Sequence, residues 1–194
     1  MKLYTKVKWV LGILMIFILI IATNLIDRNN FVRIKDSLET IYEDRLVAKD
    51  LIFKISKSVQ EKELALAKLD STFYLGRNKQ VNVDIEKAIN TFEGTKLTKK
   101  EAKVFNDFKN NLAVLIESEN STPFEKSSYN SKILNVKENL YALSEIQMNE
   151  GKRQMSISKR AIDSIELFTQ LEIYVLIFLG VVVQVIVIYK PKEK

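Results

Sequence analysis

Hydrophobic positions along this chain follow two kinds of pattern. Two runs are apolar all around a helix: Trp9 to Ile26, and Ile173 to Tyr189, broken only by Gln184. Each approaches the roughly 20 apolar residues a helix needs to cross a bilayer core of about 30 Å. Between them, residues 27–172 are rich in charge and repeat their apolar residues on one face only. The pattern predicts a water-soluble domain over 27–172, held to one membrane by transmembrane helices at 9–26 and 173–189.

Within the domain the period is helical throughout. Ile34, Leu38, Ile41, Arg45, Ala48, Ile52, Ile55, Val59, Lys62, Leu66, Leu69 and Phe73 step by alternating four and three, the spacing that keeps one narrow stripe against a partner. All but Arg45 and Lys62 are apolar, so one unbroken helix is expected from the membrane to about Leu75, straight or bent near Arg45. Breakers are few: Gly76-Arg77-Asn78, Gly94-Thr95, and Glu119 through Pro123. Val83, Ile85, Ala88, Ile89 and Phe92 mark a short helix starting after Asn82. Thr98-Lys99-Lys100-Glu101 fits a capping box, in which hydroxyl and carboxylate each satisfy an orphan amide. Ala102, Phe105, Phe108, Leu112, Leu115 and Ile116 follow on one face. A last helix opens near Phe124 or Glu125, carries Ile133, Val136, Leu140, Leu143, Ala161, Ile165 and Phe168, and runs without proline into the second apolar run. The fold class expected is all-α: an antiparallel four-helix bundle whose long first and last helices are continuous with the two transmembrane helices.

Charge adds orientation. Lys2, Lys6 and Lys8 precede the first span; Lys190, Lys192 and Lys194 follow the second, with Glu193 the one acid among them. Six lysines less one glutamate give +5 of the net +6, which leaves the middle nearly neutral. Basic flanks favour the cytoplasmic side. Both termini (1–8 and 190–194) are therefore expected in the cytoplasm and the domain outside, with Trp9, Tyr174 and Tyr189 near the headgroup layer. The basic balance is a topology signal, and no nucleic-acid partner is expected. A cleaved signal peptide would need a small residue two before Ala22, where Ile20 stands, so the first span is expected to be retained.

Composition narrows the chemistry. The chain has no Cys and no His, which removes thiol nucleophiles, disulfides, imidazole acid–base chemistry and the usual zinc sites. Five Gly and two Pro form no phosphate-cradling loop. No enzyme, cofactor or metal is expected. Asn120-Ser121-Thr122 matches a glycosylation acceptor, but Pro123 directly after it is unfavourable.

The stretch Ile41-Tyr42-Glu43-Asp44-Arg45-Leu46-Val47 resembles the start of the four-helix-bundle sensor domain of bacterial chemoreceptors (the methyl-accepting chemotaxis type), in which a Tyr precedes Asp-Arg-Leu-Val. The Thr98–Glu101 helix start and the long final helix are also similar. The position after Val47, often Pro in that family, is Ala48 here, which argues against a sharp bend. The resemblance implies a periplasmic sensor domain on the inner membrane that passes ligand binding, as a small helix displacement, to cytoplasmic signalling domains. Only five residues follow the second apolar run, so those domains are expected to be missing and the chain to act in signal transduction through partners: a second copy of itself, or another membrane receptor or transporter. A structural helical spacer of the cell envelope, without a ligand, is the alternative.

Arg45 is the residue of most interest. A charge in the seam is desolvated and needs a partner. The last helix has a polar interval at Gln147, Glu150, Gln154 and Ser158, and counting inward from Asp27 and Glu172 sets Arg45 level with Gln154, with Glu150 one turn further out. Three readings follow: a buried polar layer that fixes helix register or kinks the bundle, with Asp44, Glu150 or water as partner; an anion-accepting pocket at a bundle interface, where Arg45 would fork to a carboxylate; or snorkelling of Arg45 to the surface. Arg45, Gln147, Glu150 and Gln154 are the candidate ligand-binding residues, the ligand itself being unknown. Met148 and Met155 read as core filler.

Overall fold

The structure, a computed structural model, describes residues 3–119 and 125–188. The Asn120-Ser121-Thr122 triplet, Phe124, Tyr189 and the tail 190–194 lie outside the described residues, as does the side chain of Trp9. The described residues are helical with short connections and no strand. The chain divides into two units: Glu39–Gln154, and Met1–Leu38 together with Met155–Lys194.

The helices are α1 (Leu3–Glu39), a π-helical segment (Thr40–Leu46), α2 (Val47–Lys68), α3 (Ser71–Leu75), α4 (Arg77–Glu93), α5 (Lys99–Glu119) and α6 (Lys126–Ile188). The Glu39–Gln154 unit is the four-helix bundle, built from α2, α4, α5 and the first part of α6. Its core is apolar and interdigitated: Ala48, Ile52, Ile55 and Val59 from α2; Val81, Ile85 and Phe92 from α4; Phe105, Phe108, Leu112 and Leu115 from α5; Ile133, Val136, Leu140 and Leu143 from α6. Phe92 and Phe105 lie 4.6 Å apart between ring centres, joining α4 to α5. Burying a residue such as Phe108 or Leu115 completely is worth about 1.5–3 kcal/mol each.

The expected unbroken first helix is interrupted twice. The first interruption is the π-segment. Every predicted seam position from Arg45 to Leu66 is buried, whereas Leu38 is half exposed and Ser37 is buried in its place. Ser37 and Arg45 are eight residues apart, one more than the two turns an α-helix allows, and the wider turn of a π-helix absorbs the extra residue. The second is at Leu69, which adopts a left-handed conformation (φ 54°) and is largely exposed. Asp70 then starts α3, its carboxylate accepting from the amides of Thr72 and Phe73. α4 opens at Arg77, five residues ahead of Asn82, so Asn78 and Val81 join the buried face. The Thr98–Glu101 capping box forms as read: Thr98 N–H donates to the Glu101 carboxylate and Glu101 N–H to the Thr98 hydroxyl, at 3.1 and 3.2 Å.

The other unit consists of the larger part of α1 and the end of α6. α1 and α6 both include stretches long and apolar enough to cross a membrane. Leu14, Phe17, Ile18, Ile21 and Leu25 on α1, and Tyr174, Ile177, Phe178 and Val181 on α6, expose their side chains. Among the described residues of this unit, the buried positions are Thr23, Asn30 and Ser37 on α1, seven residues apart and polar, and Ser158 and Ala161 on α6.

Candidate functional site

Two buried polar layers lie in the bundle, with the apolar core between them. The first forms around Arg45, which is 7% exposed. The π-segment delivers its guanidinium between the start of α5 and the middle of α6. Nη1 donates to Glu101 Oε2 at 2.9 Å and to Gln147 Oε1 at 3.0 Å, and Nη2 donates to the Lys96 carbonyl at 2.6 Å. The Gln147 side-chain amide donates to the second Glu101 oxygen. Glu101, fully buried, thus receives the guanidinium, the Gln147 amide and the Thr98 backbone. Charge and hydrogen bonding are both met inside the protein, which is the condition for a buried ion pair to be tolerated.

Of the four candidate residues, Arg45 and Gln147 are brought together. Glu150 and Gln154 are not: Glu150 pairs with Arg153 at 2.8 Å, and Gln154, half-buried, makes no hydrogen bond to Arg45 among the described residues. The expected Arg45 partners Asp44 and Glu150 are thereby replaced by Glu101, while Asp44 accepts from the Lys96 amide. The level count that matched Arg45 with Gln154 fails because its origins, Asp27 and Glu172, are not level. Residues 30–37 of α1 share a groove with residues 157–164 of α6. Met148 and Met155, read as core filler, are half exposed.

The second layer centres on Lys62, the other charge in the predicted seam. Its ammonium is fully buried and donates to Glu119 Oε1 and Asn78 Oδ1, each at 2.5 Å. Glu119 also accepts from Asn78 at 2.7 Å, Asn82 at 3.1 Å and the Tyr129 hydroxyl at 2.9 Å. One carboxylate at the end of α5 therefore ties α2, α4 and α6 together. Burial pulls the Lys62 ammonium below its ordinary pKa, and the Glu119 charge opposes that pull. Burial and the adjacent Glu119 carboxylate push the Tyr129 phenol well above its ordinary range. Burial likewise raises Tyr74, whose ring meets Tyr129 edge-on at 6.0 Å.

The layers share a plan. Each takes a cation from the π-segment or α2, a carboxylate from α5 and a polar side chain from α6. Glu101 and Glu119 are eighteen residues apart, as are Tyr129 and Gln147. Eighteen residues make five turns and about 27 Å, so both members of each set return to one face of their helix. The pairings also fix the helix directions: α5 runs from the Arg45 layer to the Lys62 layer, and α6 runs back. Sequence reading missed Glu119, Tyr129 and Asn78, and gave Glu101 only its capping role. The signal for both carboxylates was present, since Glu101 is four residues before Phe105 and Glu119 four after Leu115, continuing the apolar face of α5 in both directions.

A family model described as "four helix bundle sensory module for signal transduction" matches residues 1–122, from the first apolar run to the end of α5. No curated protein and no solved structure gives a significant match. The matched residues include the π-segment, Arg45, Glu101 and Glu119, and the all-helical bundle agrees with the family's description. The chain belongs to the family of four-helix-bundle sensory modules for signal transduction.

Proposed function

We propose that this protein is a two-span sensor module of the bacterial cytoplasmic membrane. Both termini lie in the cytoplasm, the bundle lies outside, and the module signals through a partner membrane protein by way of its spanning helices. The observation that carries this reading is α6, one uninterrupted helix from Lys126 to Ile188. It holds Tyr129 and Gln147 in the two polar layers and continues into the second apolar run, so a change in either layer has a covalent, helical route to the membrane. The lysine flanks supply the orientation. Arg45 acts here as a register residue, since three of its five N–H donors go to Glu101, Gln147 and the Lys96 carbonyl on neighbouring elements.

Two measurements test the proposal. Reporters active on only one side of the membrane, fused at each end, are expected to place both termini in the cytoplasm; an exported C-terminus refutes the topology. Single cysteines introduced along the last turns of α6, in a chain that has none of its own, are expected to cross-link in native membranes to another membrane protein or a second copy. Cross-linking to neither would leave the helical-spacer reading.

A further inference from the structure

The unit formed by α1 and the end of α6 contains a groove of ≈ 450 Å³ that the bundle chemistry does not use. Asn30, Arg33, Asp36 and Ser37 line it from α1, and Ile157, Arg160, Ala161 and Ser164 from α6. Most of its polar groups are donors: two guanidinium forks, the Ser37 hydroxyl and the Asn30 amide, against the single carboxylate of Asp36; the Ser164 hydroxyl already donates to the Arg160 carbonyl at 2.9 Å. Neither arginine is ion-paired among the described residues, whereas Arg45, Arg77 and Arg153 each hold a carboxylate. Arg160 makes only a long 3.4 Å contact to the Ser156 carbonyl.

The floor of the groove gives the second, independent observation. Asn30 is 7% exposed, yet its side-chain nitrogen has no acceptor. Leaving a buried donor unmet costs about 1–3 kcal/mol. Of four such orphan atoms among the described residues, three (on Asp27, Asn30 and Ser158) fall on these two helix segments. The bundle's buried charges, by contrast, are all satisfied. A ligand rich in acceptors would meet the Asn30 donor and both guanidinium groups together.

Depth bears on the source of the ligand, while the donor set gives its class. Asn30 lies four residues past Ile26 and Ser164 nine residues before Ile173, which is about 6 and 13 Å from the apolar runs at 1.5 Å per residue. The headgroup region is about 5–8 Å deep on each side, so the Asn30 end of the groove lies within it, while Arg33 and Arg160, seven and thirteen residues from the apolar runs, stand about 10 and 20 Å out. From Arg33 a long side chain reaches back toward lipid phosphates, whereas Arg160 stands beyond that reach, so the groove meets a phosphate from solution as readily as one on a headgroup.

We infer that the groove formed by Asn30, Arg33, Ser37, Arg160 and Ser164 is a binding site for a phosphate group, presented by an anionic phospholipid or as the free ion. The guanidinium groups fork to the phosphate oxygens, the Asn30 amide donates from below, and Asp36 limits how much negative charge the site accepts. The lipid source rests on the two-span reading; recognition of the phosphate group does not.

The test uses the full-length protein in uncharged micelles. Native mass spectrometry follows retention of phosphatidylglycerol against phosphatidylcholine, and equilibrium dialysis follows inorganic phosphate. The expected result is at least tenfold weaker retention of phosphatidylglycerol by R33Q/R160Q than by the unmodified chain, with R28Q, an exposed arginine outside the groove, unchanged. R33K/R160K keeps the charge but not the fork and should fall between. Because Arg33 and Arg160 are exposed, the glutamine variants should keep full helicity by circular dichroism. Inorganic phosphate binding that is lost in R33Q/R160Q means the phosphate group suffices; lipid binding without phosphate binding assigns the site to headgroups. Equal retention by the unmodified chain and R33Q/R160Q, an equal loss in R28Q, or no binding of either probe overturns the inference. If the reporter fusions succeed and both probes fail, only this site is wrong. If the fusions export the C-terminus while phosphate binds, only the topology is wrong.

Discussion

Substituting Arg45 by leucine tests whether the polar layer is an ion pair that the bundle must satisfy. Leucine fits the seam, so on packing alone the change should be mild. The structure says otherwise, because Glu101 is fully buried and its counter-charge is Arg45 at 2.9 Å. Without Arg45 the carboxylate keeps the Thr98 and Gln147 donors but is an unpaired charge in the core. Removing one partner of such a pair costs about 3–5 kcal/mol. Burial of the leucine side chain returns part of this, so Arg45→Leu should lie near about 3 kcal/mol and Arg45→Ala near about 5 kcal/mol. Adding Glu101→Gln removes the stranded charge while keeping an acceptor for Thr98, and should restore about 2 kcal/mol, close to thirtyfold in the folding equilibrium. Urea unfolding of the full-length protein in uncharged micelles, followed by far-UV circular dichroism at constant slope, measures each term. Arg45→Leu within about 0.5 kcal/mol of the unmodified chain, or no recovery in the double variant, would refute the pairing argument.

Two further outcomes are expected. Tyr129 has a folded-state pKa above its ordinary 10.0, so the folded chain holds that proton more tightly and stability should fall as pH rises past about 10. Lys62, lowered from 10.5, works the other way, with stability rising as pH climbs from its folded pKa toward 10.5. Tyr129→Phe should lower neutral-pH stability by about 1–2 kcal/mol through the lost bond to Glu119, yet flatten the decline above pH 10 in urea melts; an unchanged alkaline slope would contradict the assignment. Deleting Tyr42, exposed in the π-segment, should turn that segment α-helical at a cost under about 1 kcal/mol, since it removes the one residue in excess of α-helical phase. Deleting the exposed Lys57 within α2 should cost more than about 3 kcal/mol, because it rotates the buried set on one side of it out of the core. Equal effects at the two positions would mean the π-segment holds no surplus residue.

The helical fold, the capping box at Thr98 and the burial of Arg45 were legible because each follows from local spacing. The partner of Arg45 was not, since pairing Arg45 with Glu101 depends on which helices meet, and charges on helix faces are usually solvated. The break at Leu69 carries a weak signal, an Asp70-Ser71-Thr72 cap, masked by apolar spacing that continues through Leu69 to Phe73. The π-segment left no compositional mark. It shows only as a change of phase between a polar buried set at Thr23, Asn30 and Ser37 and the seam that begins at Arg45.

The eighteen-residue interval between the two carboxylates of α5 has a mechanical consequence. A bundle held by apolar side chains alone can repack in a shifted register without leaving a polar group unmet, since methyl groups accept many neighbours. Here α5 and α6 are dowelled together at two levels about 27 Å apart, and a shift of a single residue would pull Gln147 from Glu101 and Tyr129 from Glu119 in the same movement. Sliding of α6 against α5 is therefore all-or-none: both pins hold, or both release.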